Sequence, residues 1–214
     1  MSIVDKVIAA VTPPESDEAR REARSKARAA AAPGTWLEMV LNHHLGIEEA
    51  FSRVKQAAGT DERRAAQKQL AVLLTGHSNA EESVIYPALA LSGEKGHAEM
   101  AYVEQSAAKI QMAALDDLDP MSQDYLDKLE HIRGAVAHHV YEEEGTRFLE
   151  LLGKVPSAVQ SRLTTRYAEE YDRYCAQPGA VAGAASASPR LPPSSSPLST
   201  PASSSVAFSG DAAV

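Results

Sequence analysis

Histidines followed four residues later by glutamate are the feature of this 214-residue sequence that could do chemistry. Four of its seven histidines have this spacing, whereas the composition alone predicts about one. The pairs are His44/Glu48, His77/Glu81, His138/Glu142 and His139/Glu143. On a helix, positions i and i+4 share a face, so an imidazole nitrogen and a carboxylate oxygen can meet at one site. The spacing therefore favours metal binding by helical residues.

Apolar residues at helical spacing place three of these histidines on inward faces. His44, His77 and His139 each continue a heptad pattern of apolar residues. Those apolar residues are Leu37, Val40, Ile47, Phe51 and Val54, then Leu70, Leu73 and Val84, then Leu129, Ile132 and Val136. Burying a polar group without a partner costs several kcal/mol. Metal coordination would compensate all of these groups together.

An internal repeat supports the same interpretation. The segments His77–Tyr86 and His139–Phe148 both read His-x3-Glu-Glu-x3-aromatic. A further histidine precedes each segment, His44 before the first and His97 before the second. Two helical pairs of this kind predict a pseudo-two-fold site. Two metal ions, each with two imidazoles and both bridged by the two carboxylates, would satisfy that symmetry.

Proline and glycine residues divide the sequence into helical segments, and no segment alternates with the period of a strand. The sequence predicts an all-α fold: an antiparallel up-down four-helix bundle with extra N- and C-terminal helices and a disordered C-terminal tail. The bundle helices are predicted over 35–57, 61–91, 97–117 and from Asp119-Pro120 to about Leu152. Shorter helical pieces are predicted over 3–11 and 15–32. The predicted domains are a helical flank (1–34), the bundle (35–155), a C-terminal helix (156–176) and a Pro/Ser/Ala-rich tail (177–214).

The composition excludes several classes of function. The formal charge is −8, and an acidic balance argues against nucleic acid as the main partner. No apolar run approaches the ~20 residues that span a bilayer, so no membrane partner is expected. The single cysteine, Cys175, excludes a disulfide framework or a cysteine-based zinc site within one chain. No signal peptide is predicted at the N-terminus, and the expected location is cytoplasmic.

The histidine and glutamate motifs resemble a known family. His44 with Phe51 seven residues on, His77-x3-Glu81 followed by Tyr86-Pro87, then His97, and then His139-x3-Glu143-Glu144 resemble the hemerythrin-like (HHE cation-binding) domain over about residues 35–153. The resemblance implies a four-helix bundle that holds two non-heme iron ions, oxo- or hydroxo-bridged. The iron ligands that it implies are His44, His77, Glu81, His97, His139 and Glu143, with Glu81 and Glu143 bridging.

Two departures separate this sequence from oxygen-carrying hemerythrins. Those proteins have a fifth histidine one turn after the ligand of the third helix, and here that position is Ala101. Their last carboxylate comes five residues after its histidine, whereas Glu143 comes four after His139. The resemblance therefore groups the chain with four-histidine members and argues against reversible O2 carriage.

Three side chains are candidates for the position that the missing imidazole leaves. Glu48 lies one helical turn from His44, and Glu104 shares the face of His97. Tyr102 is a weaker ligand candidate that could donate a hydrogen bond. Tyr102 and Glu104 are the predicted catalytic residues, and Glu48 joins the predicted ligands. The other histidines, His43, His131 and His138, are expected to be exposed or packing residues, and Cys175 a bystander thiol.

The favoured function is binding or turnover of a small oxidant, namely peroxide, O2 or NO, with catalase-like stress defence preferred over O2 carriage. The alternative is a non-enzymatic iron, redox or oxygen sensor. A homodimer or a protein partner is expected to use the N-terminal helices. A metal-free structural bundle is the third possibility.

Overall fold

The computed structural model describes residues 15–175, and every regular element among them is helical. The helices are α1 (Asp17–Ala30), α2 (Trp36–Gln56), α3 (Thr60–Ala80), α4 (Tyr86–Leu91), α5 (Lys95–Ala113), α6 (Gln123–Glu142), α7 (Phe148–Lys154) and α8 (Ser157–Cys175). The predicted all-α class is confirmed. The helix predicted over 3–11 and the tail predicted over 177–214 lie outside the described residues. No helix among those described is both long and apolar enough to cross a membrane.

Serine side chains begin two of the helices. Ser16 accepts a hydrogen bond from the backbone of Ala19 at 3.1 Å and caps α1. Ser122 likewise accepts from Tyr125 at 3.2 Å. This cap explains why α6 begins at Gln123 and not at the predicted Asp119-Pro120.

Two π-helices interrupt the long helical segments. Glu81–Ile85 joins α3 to α4, and Glu143–Arg147 joins α6 to α7. Each begins at the first glutamate of the repeated Glu-Glu pair, and each is followed by the aromatic residue of the repeat. The internal repeat of the sequence is thus also a repeat of backbone structure. Single π-turns inside α-helices occur frequently at functional sites.

The buried apolar residues form two clusters. The larger aromatic side chains of the first are Trp36, Tyr86, Phe148 and Tyr167, and those of the second are Phe51 and Tyr125. Along α2, Val40 and Leu41 belong to the first cluster and Ile47 to the second. His44 lies between these residues in sequence and is fully buried. Helix α2 therefore buries a polar residue where its contacts change from one apolar cluster to the other.

The helices outside the predicted bundle pack onto it. Helix α1 lies against the second π-helix, where Gly145 would place a Cβ 3.5 Å from the Ala23 Cβ. Helix α8 packs against α2 and α3. Its Thr164 hydroxyl accepts a hydrogen bond from the backbone of Trp36 at 3.0 Å. Both flanks therefore cover helices that carry predicted site residues.

Candidate metal centre

Four side chains from three helical segments converge in the interior. They are His44 on α2, His77 near the end of α3, and Glu81 and Glu143 at the starts of the π-helices. All four are buried, and one ligand atom from each lies within 4.8 Å of the others. His44 Nε2 is 3.4 Å from Glu143 Oε2 and 3.9 Å from Glu81 Oε1. His77 Nε2 is 3.1 Å from Glu81 Oε2.

Three atoms of this group have no hydrogen-bond partner in the described part of the chain. They are His44 Nε2, Glu81 Oε1 and Glu143 Oε2, all buried. A buried polar atom without a partner costs about 1–3 kcal/mol, and more when it is charged. Imidazole nitrogens and carboxylate oxygens are donors that divalent metals accept. The residues present therefore fit a metal ion.

The charges of the group also favour a cation. Burial lowers the pKa of His44, but the neighbouring carboxylates of Glu143 and Glu144 outweigh burial and raise that pKa to about 10. Burial and the charge of Glu143 raise the pKa of Glu81 well above its ordinary value. Burial and the charge of His44 lower the pKa of His77, which keeps this imidazole neutral and able to bind a metal. Without a metal, the group therefore holds protons at His44 and Glu81, and a bound cation would replace them.

His139 lies on the other side of Glu143, with Tyr86 and Gln105 beside it. His139 Nε2 is 3.3 Å from Glu143 Oε1. The Tyr86 hydroxyl donates to Glu143 Oε1 at 2.8 Å and lies 3.2 Å from both Glu81 Oε2 and His139 Nε2. Gln105 Nε2 donates to Glu81 Oε2 and to the Tyr86 hydroxyl, each at 2.6 Å. The two oxygens of Glu143 therefore face different histidines.

Each inward histidine has a polar partner at its other ring nitrogen. His44 Nδ1 lies 2.9 Å from Glu144 Oε1, and His139 Nδ1 lies 2.7 Å from Glu104 Oε2. His77 Nδ1 lies 3.3 Å from the Tyr167 hydroxyl. Such partners fix the orientation and tautomer of a metal-binding imidazole. Nε2 of all three rings is thereby left facing the carboxylates.

A guanidinium stands behind each of the two orienting carboxylates. Arg24 Nε lies 3.0 Å from Glu144, and its terminal nitrogens contact Glu48. Arg147 contacts Glu104 at 2.8 Å. Burial raises the pKa of Glu104, but hydrogen bonds from His139 and Arg147 outweigh burial and lower that pKa to about 2. Arg24 belongs to α1, so the N-terminal flank reaches the candidate site through Glu144.

His97 does not join this group. Its side chain is 43% exposed, and its Nδ1 lies 3.0 Å from Glu150 and 3.4 Å from Glu94 at the surface. Helix α5 turns Ala98, Ala101 and Gln105 inward, so His97 lies on another face of that helix. The internal repeat and the family resemblance both indicated His97, whereas the structure places Gln105 in the group from this helix.

The other predicted site residues occupy three different environments. Glu48 is 51% exposed and pairs with Arg24. Tyr102 donates its hydroxyl proton to the backbone carbonyl of Glu82 at 2.6 Å. Glu104 orients His139. Among these three, only Glu104 contacts one of the inward histidines, and it does so at the ring nitrogen that faces away from the carboxylates.

Sequence reasoning did not assign roles to several residues of the site. Tyr86 is the aromatic residue that ends the repeat, and Gln105 comes one helical turn after Ala101, the position of the missing histidine. This i, i+4 spacing is the sequence pattern that could have indicated Gln105. Glu144 is the second glutamate of the repeated pair, and it orients His44. Arg24 and Tyr167 lie in flanks where no local pattern indicates contact with the site.

A cavity of about 360 Å³ lies between α1, α2 and α6 and reaches the candidate site. His44 and Glu144 form part of its lining. Its apolar lining residues include Ile47, Phe51, Val136 and Val140, and its charged lining residues include Arg20, Arg21, Arg24 and Arg133. A passage for a small molecule therefore begins beside the helix that carries His44.

Comparison with known proteins agrees with the geometry. The hemerythrin HHE cation-binding domain matches residues 35–151. A DNA nickase of Nostoc sp. (strain PCC 7120 / SAG 25.82 / UTEX 2576) is 23% identical over 134 residues, which are 63% of this chain and 36% of the nickase. The chain thus spans about a third of the length of that relative. No solved structure matches the chain. The match over more than half of the sequence, together with the buried His/Glu group, shows that the chain belongs to the hemerythrin HHE cation-binding domain family.

Proposed function

We propose that the protein is a non-heme di-iron protein that binds and turns over small oxidants, with peroxide as the favoured substrate. The observation that carries this proposal is the convergence of His44, His77, Glu81 and Glu143, three of whose buried atoms have no other partner among the described residues. A site of mixed imidazole and carboxylate donors without thiolate suits iron, manganese or zinc. Bound iron would supply redox chemistry toward peroxide, O2 or NO.

The two sides of the group would hold the two ions. His44 and His77 would hold the first, with oxygens from Glu81 and Glu143. His139 would hold the second, with the other side of Glu143 and with Glu81. The Tyr86 hydroxyl lies among these three side chains and would have to turn aside or become a ligand itself. The first side has two imidazoles and the second side has one. A centre with more oxygen than imidazole ligands stabilises oxidised iron, which favours oxidant turnover over reversible O2 carriage.

Two hydrogen-bond donors would act on an oxidant at the second side. The Tyr86 hydroxyl and the Gln105 amide lie 2.6 Å apart beside the two carboxylates. Burial raises the pKa of Tyr86 well above its ordinary value, so the phenol stays protonated and donates a hydrogen bond to Glu143. Tyr86 can therefore hold a proton near the site, and Gln105 fixes the position of the phenol.

The test is iron reconstitution without oxygen, followed by measurement of bound iron and of O2 released from hydrogen peroxide. We expect about two irons per chain and catalytic O2 release, as for metal centres of this kind. His77→Ala should abolish iron binding and O2 release, and the matched change His97→Ala should preserve iron binding and O2 release. Iron binding with a stable O2 adduct and no peroxide turnover would reject the peroxide proposal.

A second candidate function is an iron or redox sensor, favoured by the contact between α1 and the site. Arg24 of α1 pairs with Glu144, and Glu144 orients His44. Occupancy of the site could change how firmly α1 is held, and a homodimer or another protein could then bind through this flank. Hydrogen exchange of α1 with and without iron tests the idea. Equal protection in both states would contradict it.

The DNA nickase relative does not change the proposal. The match covers 36% of that protein, and this chain has a formal charge of −8, which opposes DNA binding. We further propose a cytoplasmic location, where the one cysteine of the chain stays reduced.

A further inference from the structure

A series of redox-capable and aromatic side chains leads from His77 away from the candidate metal centre. The Tyr167 hydroxyl lies 3.3 Å from His77 Nδ1 and 2.9 Å from His43 Nδ1. The ring of His43 stacks on that of Tyr171, with centroids 3.7 Å apart and planes inclined by 13°. Tyr167 is fully buried, whereas Tyr171 is partly exposed. The series therefore runs from the interior toward the surface.

Cys175 is the outer end of the series. A Cβ at Gly76 would meet both Cys175 Sγ and the Tyr171 ring, so these two side chains close on α3 beside His77. Burial and a hydrogen bond to Cys175 raise the pKa of Tyr171 above its ordinary value. Cys175 is a free thiol of intermediate exposure. His43 and Cys175 thus belong to one connected set, although the sequence predicted no role for either.

The hydrogen bonds have the polarity that electron transfer through a phenol requires. A neutral His77 that presents Nε2 to the carboxylates carries its proton on Nδ1 and donates it to Tyr167. The Tyr167 hydroxyl can then donate to His43 Nδ1. A phenol that loses an electron must also lose its proton, and His43 is placed to accept it.

We propose that Tyr167, His43, Tyr171 and Cys175 form an electron-transfer relay between the metal centre and the protein surface. The relay rests on the proposed function, because it requires a redox-active metal beside His77. Each electron that Tyr167 gives to the centre leaves with transfer of the phenol proton to His43. Tyr171 then returns an electron to Tyr167, and His43 returns the proton. Tyr171, which is partly exposed, releases its own phenol proton to solvent and regains a proton together with an electron from the external reductant. With a hydroperoxide as oxidant, two electrons from an external one-electron reductant and two protons yield an alcohol and water.

Three of the four relay residues lie in a part of this chain that the family domain does not include. Tyr167, Tyr171 and Cys175 lie on α8 (Ser157–Cys175), whereas the family match ends at residue 151. His43 and His77 lie within the match. The C-terminal helix would therefore give the centre an electron path that the matched domain alone lacks.

The test is the rate at which flash-generated tris(bipyridine)ruthenium(III), an oxidant strong enough to take an electron from a phenol, oxidises the iron(II) of the loaded protein, followed by transient absorbance. In this direction the electrons run outward through the same two phenols. This complex ion is too large to enter the interior, so its electrons must come through the protein. Tyr171→Phe removes the hydroxyl, keeps the ring and touches no metal-facing residue, and we expect it to slow oxidation by about tenfold or more. Tyr167→Phe should have the same effect. Tyr174→Phe, on the exposed face of the same helix, is the matched control and should oxidise at the wild-type rate.

Wild-type oxidation rates in both Tyr171→Phe and Tyr167→Phe, at equal iron content, would overturn the relay. This readout does not depend on peroxide turnover. If the wild type does not turn over peroxide but Tyr171→Phe still slows oxidation of the iron, the proposed enzymatic function is rejected and the relay stands. If the wild type turns over peroxide but Tyr171→Phe does not slow oxidation of the iron, the relay is rejected and the enzymatic function stands.

Discussion

At the scale of single residues, the candidate centre depends on side chains that never face the metal position. Glu144, Tyr167 and Glu104 each hold the outer nitrogen of one inward histidine. Each partner removes the freedom of its ring to rotate or change tautomer. The affinity of the site for a metal should therefore depend on these partners almost as much as on the ligands.

Glu144→Gln should lower iron(II) affinity by about 10–100-fold, because His44 loses its charged partner and Arg24 keeps only its pairing with Glu48. The matched control is Glu82→Gln, at the equivalent position of the first repeat. Glu82 pairs with Lys109 and contacts no histidine. Affinity is measured by competition with a chromophoric chelator. Equal affinities for the two variants would show that Glu144 has no orienting role.

The sequence predicted four converging residues of the site, His44, His77, Glu81 and Glu143, because their spacing and their apolar neighbours define inward helix faces. It could not predict the rotation of α5, whose alanine-rich sequence marks its inward face only weakly. The internal repeat and the family resemblance indicated His97, whereas the packing of Ala98 and Ala101 turns Gln105 inward.

At the scale of the elements, the repeated π-helices and the two flanking helices position the site. Each π-helix begins at a metal-facing glutamate, and α1 and α8 supply Arg24 and Tyr167. The helix boundaries were largely predictable from prolines, glycines and apolar periodicity. The π-turns were not predicted, because the Glu-Glu pair at which each begins is made of residues that are equally common in ordinary α-helices.

The contact between α3 and α8 requires a glycine. A Cβ at Gly76 would overlap Cys175 Sγ, whereas a Cβ at Gly134, also inside a helix, meets no atom within 4 Å. Gly76→Ala should lower the free energy of unfolding by about 1–3 kcal/mol through overpacking. Gly134→Ala should raise it by about 0.5–1 kcal/mol. Urea unfolding measures both, and a stabilising Gly76→Ala would contradict the close packing of α8.

The attachment of α1 should depend on pH through Glu15. Burial raises the pKa of Glu15, but hydrogen bonds to His138 and Arg20 outweigh burial and lower the pKa below 4.5. A lowered carboxyl pKa adds stability that is complete above the ordinary value and is lost as the pH falls through the folded value. Glu15→Gln should flatten the decline of stability below about pH 4.5. An unchanged pH profile would show that Glu15 does not anchor the helix.

At the scale of the whole molecule, the chain is a family domain enclosed by flanks that reach its interior. The hemerythrin HHE domain spans residues 35–151, and helices on both sides of it contact residues that orient the metal-facing histidines. The family could be predicted from the motif order. The role of the flanks could not be predicted, because their contacts are distant in sequence. Arg24 lies 120 residues from Glu144, and Tyr167 lies 90 residues from His77.

The central claim is that a buried metal centre is built on His44, His77, Glu81 and Glu143. The most direct measurement is the iron content of the purified, reconstituted protein after exhaustive dialysis, for the wild type and for the matched variants His77→Ala and His97→Ala. We expect equal iron in the wild type and His97→Ala, and a loss of most iron in His77→Ala. Full iron retention in His77→Ala, or loss of iron in His97→Ala, would contradict it.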